Sequence, residues 1–327
     1  MSLIRASRAI TFRSSTETRD PPTYNTVVAT VSLDAPGCQI HVPKECEPEA
    51  IAITPDGTRA YVTDFAGGAV SVVSTATNTQ VAVISFDPDP NNAVGWEPWG
   101  IAVTPDGRFV YVVNFNLAHG VTVIDADPTS PTYDTVVGSI AVPGSFARDL
   151  AITPDGMFAY VPFGLNSGGG GVAVISTTTN RVVATIPFVS GSVPDVEGIA
   201  ISPRGQFAYV AGFGPLFEIS VKTNTVIYTV TGLGRTFGVA ISPDGRFVYV
   251  TDEEGGVVSV IRSTNDKVVA TVPVGINPVG VAITSDGNSA YVTNAGSDTV
   301  SVIDTRSSTV ITTIGVGNGP GGIAITP

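Results

Sequence analysis

Lysine is nearly missing from these 327 residues, with only Lys44, Lys222 and Lys267 present. Charged residues of all kinds make up 13% of the chain and leave a formal net charge of −12. An acidic chain without a basic stripe has little to neutralise phosphates with, which argues against a nucleic-acid partner. Histidine and cysteine are as scarce, at two each, and no HExxH, CxxCH, GxSxG or Walker sequence occurs. The motif-defined metalloproteases, c-type haem proteins, serine hydrolases and nucleotide-binding loops are therefore not indicated. No apolar run approaches the roughly 18–20 residues that span a bilayer, so no membrane span is expected. The N-terminal residues lack the apolar segment of a signal peptide. What remains is 43% hydrophobic, with 36 glycines and 24 prolines. That balance suits many short buried strands joined by tight turns, not a disordered chain.

One phrase supplies those strands. It reads IAITPDG at 51–57, IAVTPDG at 101–107, LAITPDG at 150–156, IAISPRG at 199–205, VAISPDG at 239–245 and VAITSDG at 281–287. The chain ends inside a seventh copy, IAITP at 323–327. A period of about 40–50 residues built from strand-like pieces is the signature of a propeller, each repeat being one blade. Within a repeat, an inner strand meets a Thr-Pro-Asp-Gly turn in which Pro presets φ and Gly takes positive φ. A second strand around Tyr61, Tyr111, Tyr160, Tyr209, Tyr249 or Tyr291 follows, then a third, then an outer strand such as NRVVATI at 180–186.

The repeat divides one domain, 1–327, into six full units near 50–86, 99–142, 149–187, 198–231, 238–273 and 280–315. A fragment is left at each end. PTYNTVVATVSL (22–33) closely matches PTYDTVVGSIAV (131–142), the outer strand of unit two, and AITFRSS (9–15) fits a third strand. The C-terminal inner strand, within 322–326, would complete a seventh blade with residues 8–33, its second strand coming from residues 1–7 or missing. Such closure removes open sheet edges. The expected fold is all-β: a seven-bladed propeller of four-stranded antiparallel blades. Copies such as AYVTN (290–294), AYVTD (60–64), VYVTD (248–252) and VYVVN (110–114) resemble the YVTN-repeat β-propeller family along nearly the whole chain. That resemblance implies a secreted or cell-surface protein, with a cytoplasmic location as the alternative. Similar seven-bladed rings include lactonases, muconate cycloisomerases and a streptogramin lyase, so the fold spreads the functional prior.

Subtracting the repeat leaves the candidates. The residues just before each inner strand should rim the central funnel: EPEA (47–50), EPWG (97–100), FARD (146–149), DVEG (195–198), RTFG (235–238), NPVG (277–280) and GPGG (319–322). The third position should face the channel, giving Glu49, Trp99, Arg148, Glu197, Phe237, Val279 and Gly321. Five neighbouring blades thus carry two carboxylates, a guanidinium and two aromatics. A concave site of aromatics with a few converging charges is the default binding-site expectation. Glu49, Arg148 and Glu197 are the catalytic candidates, because carboxylates near one another or near Arg are where proton affinities separate. Trp99 and Phe237 are the packing candidates, with Glu47, Glu97, Asp195, Arg235 and Phe146 flanking. The bland alternative is Arg148 simply neutralising Glu49 or Glu197 as a structural ion pair.

Weaker signals surround this arc. Units one to three are longer than units four to six, and much of the extra length lies in connections over the same face (34–48, 87–98, 188–197). Cys38 and Cys46 sit in one Pro-rich loop, as a disulfide or as two thiols. His41 and His119 could ligate a metal with Glu47 or Glu49, but nothing in their spacing requires one, and no cofactor is expected. Asp56, Asp106, Asp155, Asp244 and Asp286 belong to the TPDG turns and read as turn caps. Three functions compete: a monomeric ring binding a small molecule, glycan or protein segment; a lactonase, lyase or isomerase using the funnel carboxylates and Arg148; and a structural surface protein with an inert funnel.

Overall fold

The computed structural model describes residues 25–33, 47–86, 96–115, 120–144, 146–165, 169–188 and 196–327, with the backbone alone of 2–6 and 9–13. These form seven four-stranded antiparallel sheets. Six are continuous in sequence, with inner strands Pro48–Ile53, Pro98–Val103, Ala151–Ile152, Val196–Ile201, Thr236–Ile241 and Pro278–Ile283. The seventh is shared by the two ends. Ile323–Ile325 pairs with Ser2–Ala6, which pairs with Ala9–Arg13 and then Ala29–Ser32. Its inner strand touches those of the first and sixth blades, closing the ring. Ser2–Ala6 is the second strand of this blade, which the sequence pattern left open.

Burial follows the strand order. Second and third strands such as Arg59–Asp64 and Ala69–Ser74 are buried almost throughout, because each sheet is covered by its neighbours on both faces. Continuous apolar runs like AYV and VYVV are what such strands require. Outer strands alternate half-buried and exposed residues, as in Arg181–Pro187. The outer hairpins turn through a left-handed residue, Asn78, Asp134, Asn180, Asn224, Asp266 or Ser308, with φ between 52° and 56°. Asn and Asp tolerate that conformation better than other side-chain-bearing residues.

Two side-chain bridges tie blade to blade. Buried second-strand tyrosines donate to the left-handed residue of the next blade: Tyr61 to Asp134 (2.9 Å), Tyr111 to Asn180 (2.6 Å), Tyr160 to Asn224 (2.6 Å) and Tyr291 to Asn25 (3.0 Å). The second bridge is the Thr two places on. Thr63 accepts the Ala50 N–H (2.9 Å) and donates to the Trp99 carbonyl (2.7 Å). Thr251 links Gly238 to Val279, and Thr293 links Gly280 to Gly321, in the same way. The Tyr-Val-Thr phrase is thus an inter-blade fastening. Val113, Pro162 and Ala211 stand in the Thr position in blades two to four and have no hydroxyl to offer.

Candidate functional site

Why the third position faces the funnel follows from the strand pairing. Inner-strand register slips between Pro48 and Ile51, Pro98 and Ile101, Val196 and Ile199, Thr236 and Val239, and Pro278 and Val281. The two residues inside each slip leave the ladder, and such a bulge re-aims a side chain. Here it turns the rim residue inward. Glycine follows it in most blades because the inner strands converge. A Cβ on Gly198 or Gly238 would run into the Phe237 or Val279 carbonyl of the next blade.

All seven third-position residues, Glu49, Trp99, Arg148, Glu197, Phe237, Val279 and Gly321, line one cavity of about 220 Å³. At about 30 Å³ per water molecule it holds roughly seven waters. Arg148 Nη1 donates to both carboxylate oxygens of Glu197 at 2.7 Å. The Glu197 side chain has no exposed surface, and Arg235 Nη2 lies 3.9 Å from its Oε1. Two guanidinium groups therefore hold it as a carboxylate, in the charge-assisted geometry that makes such bonds strong. Arg235 stacks on Phe213, 4.1 Å from the ring centre. Its Nε is 3.1 Å from Glu253 Oε2, close enough to pair as charges though not aligned as a hydrogen bond.

Arg148 is also held from the side. Its guanidinium lies 4.9 Å from the Trp99 ring centre and 5.3 Å from that of Phe115. Trp99 packs against Phe65 and Phe115 at 5.3 and 5.5 Å, and Phe115 meets Phe146 edge-on at 5.3 Å. Stacking on aromatic faces suits the planar guanidinium. Phe146 and Arg235 thus act behind the cavity wall, and Glu47, Glu97 and Arg235 are not among its lining residues. Asp195, His41, His119, Cys38 and Cys46 lie outside the described residues. Among the described residues no group of three or more His, Cys, Asp or Glu is placed to hold a metal ion.

Asp149 is the lining residue that the rim pattern did not single out. It occupies the fourth position, where the other blades have Ala50, Gly100, Gly198, Gly238, Gly280 and Gly322. Blade three pairs only Ala151–Ile152 as its inner strand, so Asp149 precedes the ladder. Its Oδ1 accepts the Leu150 N–H at 2.8 Å and its Oδ2 the Ile199 N–H at 3.0 Å. Asp149 is half-buried and lines the cavity. Burial pushes its pKa up to about 7, against the opposing pull of those two N–H groups. The visible signal was an Asp where the repeat wants Gly. Phe65 and Phe115 carried a parallel signal, as aromatics following the second-strand phrase.

The turn aspartates are caps. Asp56, Asp106, Asp155, Asp244 and Asp286 each accept from the Thr or Ser two residues before, at 2.5–2.6 Å, and from the backbone N–H two residues on.

These features define a closed β-propeller with a small funnel lined by charged and aromatic groups at one end of the inner strands. A family described as lactonase, 7-bladed beta-propeller, has a model that matches residues 23–180. No curated protein matches the sequence. Among solved structures, hydrazine synthase of Kuenenia stuttgartiensis superposes with a TM-score of 0.76 at 22% identity, covering 91% of this chain and 90% of that one. A functionally unknown protein from Desulfotomaculum acetoxidans superposes with a TM-score of 0.66 at 23% identity, over 80% of each chain. At these identities the likeness is one of fold.

Proposed function

We propose that the propeller is a scaffold that binds a small, uncharged polar molecule in its central funnel. The observation that carries this reading is the convergence of all seven rim residues on one cavity of about 220 Å³. A cavity below the roughly 300–1,000 Å³ of ordinary ligand pockets suits a compact ring better than a glycan chain or a peptide segment. Charge narrows the class. Among the described residues the lining carries Glu49, Asp149 and Glu197 against one guanidinium, Arg148, in a protein of net charge −12. That balance disfavours an anion. Trp99 and Phe237 offer apolar faces to a ring, and the carboxylates accept from hydroxyls.

Screening by ligand-induced thermal shift tests the reading, with monosaccharides, sugar lactones and the matching sugar acids as probes. Uncharged rings should raise Tm, their acids should not, and Trp99→Ala should weaken binding at least tenfold. A shift by the acids alone, or none by any ring, would sink it.

A second reading is hydrolysis of a small cyclic ester. The lactonase family match over residues 23–180 favours it, as does an arginine beside a carboxyl group in one apolar-walled cavity. Such chemistry needs a cation for the developing oxyanion and a group that moves a proton.

A further inference from the structure

We propose that Asp149, not Glu197, is the proton carrier of the funnel. The inference rests on the hydrolytic reading and assigns its chemistry. The Asp149 carboxylate takes a proton from a water molecule as that water's oxygen bonds to the carbonyl carbon of a small uncharged ester. The carbonyl oxygen becomes an oxyanion facing Arg148. When the tetrahedral species collapses, the C–O bond to the alkoxide breaks and Asp149 returns the proton to that oxygen. Atoms and charge balance with water as the only co-reactant.

The contacts separate Asp149 from Glu197, and the Glu49→Gln variant below tests the remaining carboxylate. Glu197 is committed: both its oxygens accept from Arg148 Nη1 at 2.7 Å, a second guanidinium stands 3.9 Å away, and its side chain has no exposed surface. A carboxylate so held is a poor base. Asp149, by contrast, is held by two neutral backbone donors, Leu150 N–H and Ile199 N–H, with no salt bridge among the described residues. The cavity also places it beside Arg148, the one lining cation among the described residues, with Ile51, Ile101 and Val239 as part of the wall. The charged groups sharing that cavity are Glu49, Arg148 and Glu197. Burial moves its titration close to neutrality, where a group can both take and return a proton. Arg148 keeps N–H donors beyond Nη1 for an oxyanion.

A structural role would also explain Asp149. Blade three has Pro162 in place of the Thr that would fasten it to blade four, and the Asp149 bond to Ile199 N–H joins those two blades instead. The two roles part experimentally. Wild type, Asp149→Asn, Glu49→Gln and Glu197→Gln are assayed on glucono-δ-lactone, γ-butyrolactone and homoserine lactone by pH-stat, corrected for spontaneous hydrolysis. In wild type, kcat/KM should rise with pH through a midpoint near 7. Asp149→Asn should lower kcat by about 10²–10⁴-fold with KM little changed and abolish that inflection. Carboxyl-¹³C NMR of ligand-free wild type should show the Asp149 signal titrating near neutral pH.

Titration in the ordinary carboxylate range overturns the proposal whether or not any lactone is turned over. So does Asp149→Asn activity within a few-fold of wild type, or an inflection that survives in the variant or disappears only in Glu49→Gln. No turnover by wild type on any lactone overturns the hydrolytic reading and the inference together. Turnover that persists without Asp149 overturns the inference alone.

Discussion

Arg148 shows how one residue joins stability to the site. It is the partner of a buried carboxylate and the cation stacked against Trp99 and Phe115. Removing one member of a buried pair leaves an uncompensated charge, which typically costs about 3–5 kcal/mol. Arg148→Ala should therefore destabilise the protein by about that amount in urea unfolding, less whatever Arg235 recovers from 3.9 Å away. Adding Glu197→Gln to it should restore part of the loss, because the orphaned charge is gone. A double variant less stable than Arg148→Ala would contradict this account. The arc containing these residues was legible in the sequence because the repeat is regular enough to be subtracted. The pairing within it was not, since Glu49 and Glu197 stood as equal partners for Arg148 until the blades were placed. Asp149 was visible as a broken rule without an evident purpose. Its role depends on a bond to Ile199, fifty residues away, which no local pattern encodes.

The same logic applies to elements, where a second broken rule lies between blades four and five. The residue paired with the second-strand tyrosine is valine in the other sequence-continuous blades: Val72, Val123, Val174, Val260 and Val302. Opposite Tyr209 it is Glu218. Tyr209 donates to Glu218 Oε1 at 2.9 Å, inside one blade, where Tyr61, Tyr111 and Tyr160 reach across to the next. Glu218 is 5% exposed and lies near Asp266, the left-handed residue of blade five. Two carboxyl groups so placed disfavour each other's ionisation. Burial, with Asp266 beside it, pushes Glu218 up to about 7. An acid whose folded pKa is raised binds more protons folded than unfolded, so its contribution is present at low pH and lost as pH rises towards the folded value. Stability should fall between about pH 4.5 and 7, by about 1–3 kcal/mol from this pair, with Asp149 adding to the decline. The turn aspartates work oppositely. Asp56, Asp155 and Asp286 are held below the ordinary value, first by their Thr hydroxyls, so their contribution is lost as pH drops below about 4. Tm against pH should peak between these limits, and Glu218→Val should flatten the neutral-side decline. An unchanged slope in that variant would place the pH dependence elsewhere.

For the whole molecule the decisive contact is small. The ring closes through three paired positions, Ser2 with Ile325, Leu3 with Ala324 and Ile4 with Ile323. The split blade was legible because the fragments at the two ends complement each other, one supplying an inner strand and the other its outer ones. The second strand was not, because SLIRA lacks the tyrosine phrase that marks the other blades. The register explains a further irregularity. Leu3 pairs with Ala324 as Tyr61 pairs with Ala52, so no phenol stands at this position. Asn78 Oδ1, the corresponding acceptor in blade one, is buried without a hydrogen-bond partner among the described residues. Closure therefore rests on the strand pairing, the Tyr291–Asn25 bond and the Gly322 N–H to Glu49 carbonyl bond of 3.0 Å. Deleting residues 322–327 removes the strand pairing and the Gly322 bond and withdraws two half-buried isoleucines, Ile323 and Ile325, together worth roughly 2–3 kcal/mol of apolar burial. In a chain this long that corresponds to roughly 5 °C in Tm. It also bares a strand edge inside the ring, a template for pairing with a second chain. Calorimetry of the truncated protein should show a lower, broader transition, and light scattering should show more association than the 327-residue chain gives. Because Glu49 would lose its backbone anchor, lactone binding should weaken as well. A truncated chain that melts at the temperature of the 327-residue chain and stays monodisperse would mean the blades hold their ring without the terminal strand.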